Sequence, residues 1–473
     1  MPAPSNAVPP RHAGQRSERQ AQEARRPGYA TAPVSAVGRR GARTRNKIKT
    51  CAADLFMANG YHATSVEAIA TAVGGSRATI YQYFTSKEEI YAELVRECED
   101  AFLAHAHTLA DLGPHAEGLR NLRRWMHEWA DIYDRYAVVL LEVPGIGTFD
   151  SLPVTDANQV AKEFRAVIAE RLTDIGIEGL DTADAVSVLV RVSHMVNLYR
   201  YRGMFDLPSR TTTSEAVAIA LQLMLFPDTD AIPATPATVP RATIEPIEPV
   251  EPVEPVEPKV RPEESDDWPA RQDVLAASSR LFAERGYHAV SMAAIASGAH
   301  IGRATLYRYF NTKAKILAAL TASALSQSAH LAAELTALAE RGPDMAALHA
   351  WMRRYVAFHR NFNGVIRAWF DGAVAEQLSS EGIRTGIGQL GGAVTAVLDR
   401  TTLPAGIEHR AATAIFMAVL GRMTEPTEPS SPPDDADRTA DLMMLLLERS
   451  LLRSATVVGP GPGDVGERER DRT

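Results

Sequence analysis

Residues Leu55 to Phe84 align without a gap on Leu281 to Phe310 at an offset of 226, and 16 of the 30 positions are identical. No other feature constrains the fold as tightly, because a chain that contains one unit twice must build the same local structure twice. The repeat extends beyond this block. The same offset lays Leu122, Trp125 and Met126 on Leu348, Trp351 and Met352, and sets Tyr136 opposite Phe362. With 473 residues there is room for two such units, each with its own apolar core.

The units are joined by a segment, residues 227–267, that contains IEPIEPVEPVEPVEPKV from Ile244 to Val260. Glu245, Glu248, Glu251, Glu254 and Glu257 recur every third residue, the period of polyproline II, so they are expected along one edge of a stiff, soluble spacer. As polyproline II throughout, residues 227–267 would span roughly 125 Å at about 3.1 Å per residue. The net charge of −8 hides a strong asymmetry. From Arg11 to Lys49 nine arginines and two lysines face only Glu18 and Glu23. Residues 1–42 are expected to be a disordered basic arm and residues 454–473 a disordered tail.

Two cysteines, Cys51 and Cys98, are too few for a disulfide framework, which points to a reducing, cytoplasmic setting. Residues 1–42 lack the apolar stretch of a signal peptide, and no run of about 18 uncharged apolar residues is present, so no membrane is expected as a partner. The sequence has no phosphate-binding glycine loop, no nucleophile elbow and no Cys-x-x-Cys. HEWAD at His127 ends in Asp131 where a zinc pair would need histidine. Neither an enzyme, a metal site nor a cofactor is expected.

Each unit reads as helical. Ile48, Ala52, Leu55 and Phe56 mark an amphipathic first helix, repeated by Val274, Ala277, Leu281 and Phe282, with stops at Asn59-Gly60 and Arg285-Gly286. A short helix follows, with Ser65 and Ser291 as N-caps, then a turn at Gly74-Gly75. A third short helix contains RATIYQYF in the first unit and RATLYRYF in the second. Ser86 to Glu89 forms an S-x-x-E box that starts a fourth. Two short helices across a glycine turn, backed by a longer one, are helix-turn-helix architecture.

At 100° per residue Ile80 and Phe84 share the inward face of the third helix, while Ala78, Thr79 and Gln82 point away, flanked by Arg77, Tyr81 and Tyr83. That outer face suits DNA. A small alanine allows close approach, hydroxyls meet phosphates, and an arginine reaches guanine O6 and N7.

GYHATSVEAIATAVGGSRATIYQYFTSKEEIYAELV and GYHAVSMAAIASGAHIGRATLYRYFNTKAKILAAL both resemble the DNA-binding segment of the TetR family of transcriptional regulators. The resemblance implies an all-α fold of two tandem units, each a three-helix DNA-binding domain followed by a helical ligand-binding and dimerisation domain. The expected DNA-binding domains are 43–92 and 268–318, and the regulatory domains 93–226 and 319–453. Phosphate contacts would fall on Ser65, Thr79, Tyr81, Tyr83 and Lys87, with Arg77, Ala78 and Gln82 reading bases. In the second unit the same roles fall on Ser291, Thr305, Tyr307, Tyr309 and Lys313, with Arg303, Ala304 and Arg308 reading bases. His300 stands where the family has a turn glycine, and Gly302 where it has a capping serine.

Aromatic residues step along later helices, and the resemblance makes some of them walls of an effector cavity. Trp125, Trp129, Tyr133, Trp351, Phe358 and Phe362 are the candidates, with His194 and Asn197 as polar contacts. The most apolar helices, about Thr182 to Arg202, Ser214 to Phe226, Glu408 to Arg422 and Asp437 to Leu452, would form a dimer interface. The expected function is a ligand-responsive repressor that binds a double-stranded DNA operator and an unidentified small-molecule effector. Its assembly would be an intramolecular pseudo-dimer or a homodimer. The alternative is a ligand sensor or adaptor whose helix-turn-helix motifs have degenerated.

Overall fold

The computed structural model describes residues 39–61, 63–141, 157–173, 175–229, 232, 269–342, 344–370, 378, 380–425 and 435–453, and they form sixteen α-helices, eight in each repeat. The first repeat contains α1 (Arg39–Asn59), α2 (Val66–Val73), α3 (Arg77–Tyr81), α4 (Lys87–His107), α5 (Ala116–Leu140), α6 (Ala157–Leu172), α7 (Thr182–Tyr201) and α8 (Arg210–Leu225). The second contains α9 (Pro269–Ala289), α10 (Met292–Gly298), α11 (Arg303–Tyr309), α12 (Lys313–Arg341), α13 (Met345–Trp369), α14 (Ser380–Leu398), α15 (His409–Arg422) and α16 (Ala436–Arg449). The all-α, two-unit fold expected from sequence is therefore present. The glutamate–proline spacer, the chain before Arg39 and the tail after Arg453 lie outside the described residues. Helix α1 starts at Arg39, inside the segment expected to be a disordered arm, and α8 starts four residues before the expected Ser214.

The described residues fall into two bodies, one within residues 1–98 and the other within 99–473. In the first, α1 lays Ile48, Ala52 and Phe56 against Ile69 of α2, Ile80 of α3, and Phe84, all fully or almost fully buried. Leu55, expected in the same stripe, is only partly covered. Helix α1 stops at Gly60, whose φ of +81° is open to glycine at no steric cost.

In the second body, α9 to α11 repeat this arrangement, and the fidelity of the copy is visible in single bonds. Gly75 N donates to Ala70 O at 2.9 Å, and Ile301 N donates to Ala296 O at 3.0 Å, residue pairs related by 226. The turn that these bonds close needs a left-handed residue. In the first repeat it is Gly74 (φ +74°), in the second His300 (φ +55°). A side chain in that region costs roughly 1–2 kcal/mol, partly offset by the extra backbone entropy that glycine loses. His300→Gly is accordingly expected to stabilise the second helix-turn-helix by up to about 1 kcal/mol, seen as slower amide exchange across α10 and α11.

The long helices of the second body follow the same duplication. Trp125 of α5 donates its indole N–H to His105 O at 3.0 Å, and Trp351 of α13 donates to Leu331 O at 2.9 Å, again an exact shift of 226 at both ends. Helix α12 is long and apolar enough to cross a bilayer by length and composition. Here it packs on α13 and α14, with Ile316, Leu317, Leu320, Ala324 and Leu335 buried, as a core helix does.

Helices α7 and α8 of the first repeat pack on α15 and α16 of the second, each helix meeting the counterpart eight places along. Tyr199 Oη donates to Met417 O at 3.3 Å, and Arg191 Nη1 donates to Arg422 O at 3.1 Å and Glu425 O at 2.7 Å. Arg438 bridges Asp181 and Asp184 at 3.1 and 2.9 Å. Close apposition is enforced by Gly391 of α14, where a Cβ would stand 2.7 Å from the ring of Phe205. The apolar run from Leu442 to Leu447 is thereby covered, with Met443, Leu446 and Leu447 fully buried.

Candidate nucleic-acid interface

Helix α3 is short and is held at its N-terminus by its own side chains. Ser76 Oγ accepts from Thr79 N at 3.2 Å while Thr79 Oγ1 accepts from Ser76 N at 3.4 Å, a reciprocal capping box. Ile80 and Phe84 point inward and are fully buried, Arg77 and Gln82 are exposed, and Ala78, Thr79, Tyr81 and Tyr83 lie at the margin. In α11 the inward residues are Leu306 and Phe310, and the exposed set is Arg303, Ala304, Tyr307 and Arg308, with Thr305 and Tyr309 marginal. Gly302 gives α11 no side-chain cap, whereas Ser65 and Ser291 cap the preceding helices as the sequence suggested, accepting from Ala68 N and Ala294 N.

Ser86 caps α4 by accepting from Glu89 N at 3.3 Å, but the Glu89 carboxylate does not complete the box on Ser86. It accepts instead from Thr85 N at 2.5 Å and Thr85 Oγ1 at 2.6 Å.

Lys87 and Lys313, expected at phosphates, are engaged with the chain in both repeats. Lys87 Nζ donates to Tyr61 O at 2.8 Å and Thr64 O at 3.0 Å and lies over the Tyr61 ring. Lys313 Nζ donates to Tyr287 O at 2.6 Å and Val290 O at 2.8 Å and lies over the Tyr287 ring. Each lysine fastens the start of a long helix to the loop before the second helix, and burial pulls the Lys313 ammonium below its usual range. Part of the basic character of the N-terminal region is also spent internally. Arg45 and Lys49 of α1 pair with Glu93, and Arg45 stacks on the Phe84 ring at 4.0 Å. Burial would raise the Glu93 carboxyl, but the Arg45 and Lys49 hydrogen bonds and charges outweigh it and hold the group below its ordinary value.

One difference bears directly on base reading. Arg77 Nη1 stands 3.4 Å from Glu67 Oε2, an exposed pair, while Ala293 occupies the corresponding place in the second repeat and leaves Arg303 without that partner. Arg308, where the first repeat has Gln82, lies against the Tyr309 ring at 5.3 Å.

The eight residues proposed for an effector are buried and fall into separate groups, one in each repeat. Trp125, Trp129, Tyr133 and His194 belong to the aromatic core of the first repeat with His105, Phe102 and Phe164. Asn197 donates within its own helix to Ser193 O at 2.9 Å, and Trp351 is fixed by its bond to Leu331 O. Phe362 packs at a tilt against Phe358, and Phe358 borders a cavity of about 70 Å³. That cavity was announced in the sequence only by polar residues in or just after apolar helices, namely His359, Asn363, Arg422 and Glu425. Glu425 is buried, which would raise its carboxyl, yet the charges of Arg422, Arg367 and Arg191 hold it low.

Two solvent-facing second helices, each behind a turn fixed by backbone bonds, define a helix-turn-helix protein of the nucleic-acid-binding class. Residues 50–94 and 274–320 both match the family model of bacterial regulatory proteins, tetR family. The protein thus carries the tetR-family DNA-binding domain twice. It is similar to the HTH-type transcriptional regulator TcmR of Streptomyces glaucescens, with 42% identity over 62 residues, 13% of this chain and 27% of that relative. The match spans about a quarter of the relative's length.

Proposed function

We propose that the protein is a ligand-responsive repressor in which one chain forms a pseudo-dimer and presents two recognition helices, α3 and α11, to two operator half-sites. The reading rests on one observation above all, the packing of α7 and α8 on α15 and α16 within a single chain. A C2 dimer buries the same patch of both subunits. Here the two patches come from two repeats joined covalently, and tethering raises the effective concentration of one for the other toward the mM range. In this reading DNA-binding domains within 43–92 and 268–318 are switched by regulatory domains within 93–226 and 319–453. Ser65, Thr79, Tyr81 and Tyr83, with Ser291, Thr305, Tyr307 and Tyr309, are assigned to phosphates. Arg77, Ala78, Gln82, Arg303, Ala304 and Arg308 are assigned to bases.

Selection of bound duplexes from a random pool, together with the solution mass of the complex, tests the reading. The expected product is a site with two half-sites about 34–36 Å apart between centres, bound by one chain. A complex of two chains on a single such site would refute the one-chain reader. Arg77→Ala and Arg303→Ala are each expected to cost about 1–3 kcal/mol, on different halves of the site. Glu67→Ala, which frees Arg77, is expected to tighten the first half-site a few-fold, toward the behaviour that Arg303 already has. Equal effects of the two arginine changes on both halves would show that the readers are interchangeable. An effector that prefers the arrangement unsuited to the operator lowers DNA affinity by its differential binding.

A further inference from the structure

The cavity bordered by Phe358 lies on the seam between the repeats and has no counterpart in the polar pattern of the first. Its aromatic walls are Tyr355, Phe358, Trp369 and Phe370 of the second repeat and Tyr199 of α7 from the first. At the offset of 226, Asn363 corresponds to Ala137, Arg422 to Val196 and Gly421 to Met195. The first repeat therefore fills with apolar side chains the places where the second has an amide, a guanidinium and an empty position.

Two polar atoms at this cavity are buried without a hydrogen-bond partner, Asn363 Oδ1 and Arg422 Nε. Arg422 is only 7% exposed and spends Nη1 on Glu425 at 2.7 Å, which leaves Nε–H as an unused donor. A buried donor and a buried acceptor left open are costly, and a ligand that satisfies both gains what the empty site forgoes. We infer that this seam holds one site per chain for a hydroxylated aromatic acid, its ring between the aromatic walls, its carboxylate accepting from Arg422 and its hydroxyl donating to Asn363. The inference rests on the ligand-responsive reading above and names the ligand class and the number of sites.

Size supplies the link to regulation. The 70 Å³ present is roughly half of what a cavity needs to admit a benzene ring. Occupation therefore requires α13 and α15 to part from α7. On α13 the residue next to Asn363 is Gly364, where the helix crosses α9 of the second DNA-binding domain so closely that a Cβ would lie 2.5 Å from Phe282 C. A ligand that shifts α13 shifts the helix on which α10 and α11 are mounted.

Isothermal titration of the full chain tests this with 6-hydroxy-2-naphthoate and 4-hydroxybenzoate, against 2-naphthoate lacking the hydroxyl and 2-naphthol lacking the carboxylate. The expected stoichiometry is one per chain, with affinity falling about fivefold or more when either group is removed. Asn363→Leu is expected to erase the hydroxyl's advantage and leave that of the carboxylate. Gly421→Leu, which fills the space beside Tyr199 Oη, is expected to abolish binding, and the smaller Gly421→Ala to weaken it should the larger change unfold the chain. Two sites per chain, no binding of any of the four compounds at millimolar concentration, or a hydroxyl preference unaltered by Asn363→Leu would each overturn the inference. Operator binding measured without ligand separates the two readings. DNA binding with no aromatic acid bound removes this inference alone, whereas absence of DNA binding removes the repressor reading itself.

Discussion

Acidification from pH 7.5 to about pH 5 is expected to remove on the order of 6 kcal/mol from the stability of the body that lies within residues 99–473. Three buried histidines produce the loss. Burial pushes His105 down to about 3, His194 to about 3 and His359 to about 4, each from an ordinary 6.5. Well above pH 6.5 both folded and unfolded chains hold them neutral, and they contribute no pH dependence. Below it the unfolded chain takes up protons that the folded chain refuses, so each histidine destabilises by about 1.4 kcal/mol per pH unit until its folded pKa is reached. The geometry explains the refusal. His194 Nδ1 meets the Tyr133 hydroxyl at 3.4 Å and His359 Nδ1 the Thr424 hydroxyl at 2.7 Å, and burial, with the Arg422 charge, outweighs the Glu425 carboxylate that would raise both. His105 has Glu128 at 3.7 Å, but that oxygen accepts from Thr108 at 2.9 Å and burial prevails.

Urea titrations followed by circular dichroism at pH 7.5, 6 and 5 measure the slope. His359→Gln, neutral throughout, is expected to remove about a third of it, and a stability independent of pH over this range would contradict the buried neutral state. Glu425 works in the same direction only at lower pH, because its carboxyl is held below 4.5 and its stabilisation is lost as pH falls through the folded value.

Much of this molecule could be read from its sequence because local rules and tertiary structure agree. The caps at Ser65 and Ser291, the stop at Gly60 and the apolar faces of α1, α3 and α11 follow from spacing and residue type alone. His300 was legible too, since only its alignment with Gly74 was needed to foresee a side chain in left-handed geometry. What sequence reasoning assigned differently is the direction in which long side chains reach. Lys87 and Lys313 sit at surface-like positions in the pattern, yet three-dimensional proximity of the first loop turns both amino groups inward. The effector residues are ambiguous for a related reason. An aromatic stripe such as Trp125, Trp129 and Tyr133 carries the same periodicity whether it lines a cavity or fills one, and here stacking on His105 and Phe164 fills it. The informative signal was the reverse pattern, polar residues at core positions of α13 and α15.

Gly364→Ala is the single methyl group expected to separate the second DNA-binding domain from its regulatory helices. A Cβ at this position would run into Ala283 N and stand 2.5 Å from Phe282 C, both backbone atoms of α9, so no rotamer change can relieve it. One helix must back away from the other, at the expense of the packing around Phe282, Val365 and Phe362, at about 1–3 kcal/mol. The same substitution at Gly392 of α14 meets nothing within 4 Å and is expected to stabilise by about 0.5–1 kcal/mol through helix propensity, which isolates the effect of the crossing from that of the residue type. Hydrogen exchange read by mass spectrometry distinguishes the outcomes. In Gly364→Ala, exchange should quicken in α9 and in the middle of α13 and stay unchanged in α1 to α3. On DNA, the half-site assigned to Arg303 should weaken while that assigned to Arg77 keeps its affinity. If both half-sites weaken together, α13 is not the path by which the second reader is positioned, and the two readers move as one rigid pair.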